Sequence, residues 1–196
     1  MGWGRDMWYV IQTITGKEQE LADVIGKIMA GEGQKYERCF VIYQECVQRR
    51  KGRRESYVET LFPSYVFVET NQPEEFFLEL KQVPRVANFL QVDGCFWNIY
   101  EEEEEFLRRM LEGGFDKTRN RIGKDSDQAF IIRSSLVWVN ADGQIQGAEG
   151  VLGFYLDKIV KQRLRKRSVV IEIPFGGRMR RIRLGIRLDG DFSVAE

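Results

Sequence analysis

Histidine does not occur among the 196 residues. Its absence removes Ser-His-Asp and Cys-His nucleophile arrangements and denies zinc its usual nitrogen ligand, so an enzymatic function loses ground. Cysteine is scarce. Cys39, Cys46 and Cys95 are odd in number and form no CxxC pair, which argues against a disulfide framework and a metal knuckle alike. Reduced thiols in a cytoplasmic protein without metal or cofactor are the expectation. Long apolar runs are also missing: Tyr65-Val66-Phe67-Val68 is far too short to cross a bilayer, and no apolar h-region follows Met1-Gly2-Trp3-Gly4-Arg5-Asp6. The chain therefore reads as soluble, with no membrane partner. Carboxylates, finally, are nearly absent between residues 158 and 187, where Glu172 stands alone.

That last scarcity is hidden by a formal net charge of zero, from 30 Lys/Arg against 30 Asp/Glu. Residues 158–196 hold 11 cations and 4 anions, a surplus of +7, and residues 1–157 carry the opposite surplus. An acidic body with a basic end segment points to two different partners, one of them a polyanion. With 43% hydrophobic residues the chain can bury an ordinary core, and its length accommodates two small domains.

Trp8 to Thr13 is aromatic and β-branched and ends at Thr15-Gly16, which predicts a buried strand. Leu21, Val24, Ile25, Ile28 and Met29 then recur at helical spacing, up to Gly31 and Gly33. Phe40–Tyr43 is a second strand, and Cys46-Val47 and Tyr57-Val58 flank a hairpin with Gly52 near its tip. Phe62 to Val68 gives another strand, Pro73 starts a helix, a short strand lies near Cys95-Phe96-Trp97, and a helix runs from about Glu101 to Leu111. The order β-α-β-β-β-α-β-α predicts an α+β fold, an antiparallel sheet flanked by helices, over residues 1–112. Residues 113–127 are polar and aperiodic and read as a linker. In residues 128–196, strands are predicted at 136–139, 151–156, 169–173 and 178–188, at the close spacing of a small β-barrel. In the last of these, Ile182, Leu184, Ile186 and Leu188 alternate with Arg181, Arg183 and Arg187 across the two faces.

Two clusters of cations are candidates for phosphate contact. The hairpin tip carries Arg49, Arg50, Lys51, Arg53 and Arg54; a solvated turn is the plain alternative. The barrel segment carries Lys158, Lys161, Arg163, Arg165, Lys166 and Arg167, then Arg178, Arg180, Arg181, Arg183 and Arg187, too one-signed for an ordinary loop. The acidic stretch Glu101–Glu105 reads as the first turn of a helix, where carboxylates complement the dipole, rather than as a catalytic pair.

Trp8-Tyr9-Val10-Ile11-Gln12-Thr13 with Gly16 and Glu18, taken together with Leu61-Phe62-Pro63-Ser64-Tyr65-Val66-Phe67-Val68, Leu78-Glu79-Leu80 and Val83-Pro84, resembles the N-terminal domain of the NusG family. The segment around Gly150 is similar to the SH3-like KOW domain that follows it in relatives, although Gly143-Gln144-Ile145 replaces the usual Gly-Pro-hydrophobic turn. The resemblance implies a bacterial elongation factor that is not an enzyme. It also implies that Trp8, Tyr9, Phe62, Pro63, Tyr65 and Phe67 form an apolar depression for the clamp helices of RNA polymerase, whereas strand aromatics alone would more often be core. The density of arginine is most like a specialised paralogue of the LoaP type, an operon-specific processive antiterminator. On that reading Lys161, Arg163, Arg165, Lys166, Arg167, Arg178, Arg180, Arg181 and Arg183 bind an RNA hairpin in a leader transcript, the hairpin-tip cations face upstream DNA, and the protein is a monomer. The alternatives are a housekeeping NusG-like factor with a protein-binding barrel and an RNA-binding translational regulator.

Overall fold

The structure is a computed structural model, and it describes residues 7–29, 35–82, 96–114 and 129–192. Contacts divide the chain into two compact units. The first comprises Met1–Ile42, Phe62–Glu104 and Arg121–Phe130, and the second Tyr43–Leu61, Glu105–Asn120 and Ile131–Glu196. The predicted 113–127 linker, Gly31, Gly33 and Cys95 fall largely or wholly outside the described residues.

In the first unit, strands β1 (Met7–Gln12), β4 (Tyr65–Thr70), β5 (Phe96–Asn98) and the start of β2 (Arg38–Arg50) are antiparallel, in the order β2-β4-β1-β5. Val10 opposes Phe67 and Trp97, and Phe40 opposes Phe67, so these side chains share one face of the pleat. Helix α1 (Glu18–Ile28) buries Leu21, Ala22, Val24 and Ile25. Ile28, expected on that buried stripe, is 44% exposed because it is the last residue of the helix. Helix α2 (Pro73–Gln82) buries Phe76 and Leu80, and helix α3 (Glu101–Gly114) starts in this unit, with four acids in its first turn, and continues in the second from Glu105.

In the second unit the remainder of β2 pairs with β3 (Arg53–Thr60), from Tyr43↔Thr60 to Arg50↔Arg53. The turn is Lys51-Gly52, both at positive φ (48° and 83°), the two-residue geometry whose twist matches the strands it joins. Strands β7 (Ser135–Val139), β8 (Ile145–Glu149), β9 (Ile159–Arg163), β10 (Ser168–Pro174) and β11 (Met179–Leu188) form a curled sheet in the order β8-β7-β11-β10-β9, with β7 and β11 parallel. Its two edge strands are bridged through Gln162, whose carbonyl oxygen accepts the Ile145 amide (3.1 Å) and whose amide donates to Gln144 Oε1 (3.0 Å). A short strand β6 (Ala129–Ile132) precedes them.

The alternation predicted for the last strand is observed: Ile182, Leu184 and Ile186 are buried and Arg181 is exposed. The strand predicted at 151–156 is instead a 3-10 turn, Val151–Lys158. Burial there follows a turn, at Val151, Leu152 and Tyr155, and the Leu152 amide bonds Ser135 Oγ (3.0 Å) rather than a strand partner. The basic run after it contains the unanticipated β9. Among the described residues no helix is long and apolar enough to cross a membrane, and no group of three or more His, Cys, Asp or Glu is placed to hold a metal ion.

Candidate docking face and candidate nucleic-acid interface

The six aromatic and proline positions of the first unit divide by burial. Trp8 (1% exposed), Phe62 and Phe67 are core, locked edge to face: Trp8 and Phe40 centroids lie 5.1 Å apart, Phe62 and Phe67 5.6 Å. Pro63 is exposed, and Tyr9 and Tyr65 are half-buried. Tyr65 meets Trp97 edge on at 5.6 Å. Burial, and then the charge of Glu104, push the Tyr9 phenol above its ordinary value. Tyr9 also lines an open depression of about 430 Å³ with Phe77 and Trp97.

Behind Pro63 the chain is clasped by one buried carboxylate. Glu18 Oε1 accepts the amides of Gly16 (3.0 Å) and Ser64 (2.7 Å), and Thr13 donates to the Ser64 carbonyl (2.8 Å). Ser64 holds φ 73°, the left-handed region that glycine adopts without strain. Glu18 stood out in the sequence only as part of the resemblance; its reach to Ser64, 46 residues away, has no local signal.

In the second unit the cations fall into two sets. Arg49, Arg50, Lys51, Arg53, Lys161, Arg163, Arg165, Lys166 and Arg178 are exposed and face no carboxylate among the described residues. The others are engaged. Arg167 lays its fork on Asp191 (2.6 and 2.6 Å) and donates to the Leu164 carbonyl (2.5 Å). Arg183 pairs with Glu59 and reaches Tyr57 Oη (3.4 Å). Arg181 bonds Glu172 (3.2 Å) while staying exposed, and Arg180 bonds the Phe175 carbonyl (3.2 Å) with its guanidinium 5.5 Å from that ring. Arg54 reaches Asp191 (3.5 Å) and the Arg165 carbonyl (3.4 Å). Burial alone would raise the Asp191 carboxyl, but the Arg167 fork, the Leu188 amide and the Arg54 charge outweigh it and hold the group below the usual carboxylate range.

These engaged groups seat the hairpin on the curled sheet. Gly185 donates its amide to Gln44 Oε1 (3.0 Å), and a Cβ at Gly185 would come within 2.1 Å of the Glu45 carbonyl oxygen, so only glycine admits that strand. Glu45 in turn accepts from the Ser134 amide (3.1 Å) and hydroxyl (2.8 Å). Burial and the neighbouring Glu59 push the Cys46 thiol up to about 12. Sequence reasoning missed Gln44, Glu45, Glu59 and Gly185. It also missed Trp138, which is 51% exposed and lies flat over Gly147.

The architecture defines a mixed α+β protein whose first unit is aromatic-cored and whose second carries exposed cations clustered at the hairpin tip and between residues 161 and 166. The chain belongs to the NusG family, whose model, described as transcription termination factor nusG, matches residues 6–108. It is 26% identical over 121 residues to the transcription termination/antitermination protein NusG of Neisseria meningitidis, covering 59% of this chain and 66% of that protein. It is 28% identical over 117 residues to the NusG of Haemophilus influenzae (58% and 63%) and 31% identical over 85 residues to that of Vibrio cholerae (42% and 47%). The matches thus span less than two thirds of those relatives' length. A solved structure described as domain interaction in Thermotoga maritima NusG aligns over 94% of the chain at 17% identity and TM-score 0.45.

Proposed function

We propose that this protein is an operon-specific transcription elongation and processive antitermination factor of the LoaP type. Its N-terminal domain, residues 1–112, docks on the clamp helices of RNA polymerase through Tyr9, Pro63 and Tyr65, with Trp8, Phe62 and Phe67 holding that surface from beneath. Its C-terminal domain, residues 128–196, captures an RNA hairpin in the nascent leader, which raises the local concentration of the N-terminal domain at one operon. The protein is not an enzyme and acts from the cytoplasm.

The observation that carries the reading is the set of exposed cations without carboxylate partners on the second unit. A surface of one sign costs self-repulsion unless a polyanion neutralises it, and planar guanidinium forks suit phosphate and base edges. The test has two arms. Tyr65→Asp should abolish binding of the full chain to core polymerase while leaving RNA binding intact; a folded variant with full polymerase affinity removes the docking assignment. A leader hairpin should bind the full chain more tightly than an unrelated duplex, and equal affinity for both returns the protein to a housekeeping role.

A further inference from the structure

The sequence separates the cations into a hairpin tip around residue 51 and a barrel segment beyond residue 158, and the family resemblance, not the residues themselves, implies different nucleic acids for them. The structure puts both in one compact unit and ties them together. Within the hairpin, Arg49 opposes Arg54 and Arg50 opposes Arg53, so Arg54 lies one rung below the end of the ladder. That rung is fixed to the sheet: Arg54 bonds the backbone carbonyl of Arg165 and reaches Asp191, the carboxylate that also holds Arg167. Arg165 sits in the 3-10 turn Leu164–Lys166 between β9 and β10, directly after the exposed Arg163. The free cations of the tip therefore begin on the Arg54 rung with Arg49 and continue through Arg53, Arg50 and Lys51, with Arg53 one residue, about 3.4 Å of strand rise, beyond the contact with the turn that carries Arg163, Arg165 and Lys166.

The hairpin is held along both of its strands and not only at the tip. Gln44 and Glu45 on β2 bond Gly185 and Ser134, and Tyr57 and Glu59 on β3 bond Arg183. The Gly185 notch lets strand backbone approach strand backbone, which no flexible side-chain contact could reproduce. Such a seat fixes the register between the two cationic groups.

We infer that the β2–β3 tip and the β9–β10 turn form one continuous phosphate-binding surface, and that both sides contact the same RNA stem. Arg50, Lys51, Arg53, Arg163, Arg165 and Lys166 supply the phosphate contacts. Arg54, Arg167 and Arg183, committed to Asp191 and Glu59, are positioning residues that keep the two groups in register. The inference rests on the RNA-binding reading of the second unit and adds to it that the hairpin tip belongs to the RNA site.

The test titrates the full chain with an RNA stem-loop, and separately with a DNA duplex of the same stem sequence, across a range of salt. Each phosphate contact contributes roughly 0.7 to 0.9 to the magnitude of the salt slope. Arg50→Ala/Lys51→Ala/Arg53→Ala should therefore flatten the RNA slope by about 2, as Arg163→Ala/Arg165→Ala/Lys166→Ala should. Gly185→Val keeps every cation but forces the hairpin off its seat, and should flatten the slope toward that of the tip variant. It is compared only if its circular dichroism matches the unaltered chain; the tip and turn variants change exposed side chains and carry the test without it. A tip variant with the original RNA slope beside a turn variant that loses it would overturn the shared surface and leave the RNA reading standing. Tip dependence for the DNA duplex alone also overturns it, in favour of separate ligands. Failure of the unaltered chain to bind the stem-loop in a salt-dependent way removes the RNA reading itself.

Discussion

The two units solve the same burial problem with different side chains. The first is centred on rings: Trp8, Phe40 and Phe67 interlock at centroid distances of 5.1 to 6.4 Å, with Phe76 fully buried nearer α2. The second is mainly aliphatic, with Val169, Ile171, Ile173, Leu184 and Ile186 buried in the curled sheet and Phe175 buried just after β10. Their surfaces differ more sharply still. Acids populate the first turns of α1, α2 and α3, while Lys161 and Arg163 on β9, Arg165 and Lys166 in the following turn, and Arg49, Arg50, Lys51 and Arg53 at the hairpin tip are exposed cations. Burial alone would not tell the units apart in function; the sign of what is left outside does.

The contrast between ring-locked and aliphatic cores is tested first, where the expected effect is largest. Phe67 touches Trp8, Phe40 and Phe62, so Phe67→Ala removes the shared partner of three rings and should cost about 3–5 kcal/mol in urea denaturation. Ile171→Val in the second unit removes one buried methylene and should cost only about 0.5–1.5 kcal/mol. Comparable losses for both would mean that the rings are not interlocked as described.

Next in size is Asp191 in the second unit, and its signature is pH dependence. Its folded value lies below the unfolded one, so the stabilisation is fully present at neutral pH and is lost as pH falls through the unfolded value of about 4 toward the folded one. Asp191→Asn should lower stability at pH 7 by about 1.5–3 kcal/mol and remove that part of the acid sensitivity. A variant as acid-sensitive as the unaltered chain would place the sensitivity on other carboxylates.

The counterpart in the first unit is the buried clasp. Glu18→Ala leaves the Gly16 and Ser64 amides, which are only partly covered, without their acceptor and should cost about 1–2 kcal/mol, the loss of two hydrogen bonds to a carboxylate. Glu18→Gln keeps an acceptor oxygen and should recover part of this. Equal stability of the two variants would show that the amides find water instead.

Much of both units was legible because their patterns are local. The period-two run from Arg181 to Leu188 announces a strand with cations on one side, and Arg50-Lys51-Gly52-Arg53 announces a tight hairpin. The apolar run Val151–Leu156 misled because a short continuous run has no period, and Gly150 at φ 87° turns the chain where a strand would continue. The aromatic segment around Phe62 could be identified as important, but not divided: which rings face inward depends on pairing across 55 residues or more, as between Val10 and Phe67. The partners of the arginines were least legible. Arg183 and Glu59 are 124 residues apart, and Arg54 and Arg165 are 111 apart, so sequence showed a uniform cationic surface where the fold separates struts from free charges.

The smallest expected effect sharpens the view of Ser64 as a position that backbone geometry reserves for glycine. At φ 73° a side chain with a Cβ is strained by about 1 kcal/mol, and glycine relieves that. Ser64→Gly also gives up the 2.5 Å hydroxyl contact with Thr15 and adds unfolded-state freedom, each opposing the gain by about 0.5 kcal/mol. The net change should therefore lie within about 0.5 kcal/mol of zero, since the two losses offset the relief. Ser64→Ala gives up the same hydroxyl without relieving the strain, so it should be less stable than Ser64→Gly by about 0.5 kcal/mol, the strain it keeps less the unfolded-state freedom that glycine adds. The difference between the two variants, measured by urea denaturation, isolates the backbone because the hydroxyl is absent from both. If alanine instead proves the more stable by about 0.5 kcal/mol, the left-handed conformation carries no strain, and the Glu18 and Thr13 bonds to the Ser64 backbone are then what fix this turn.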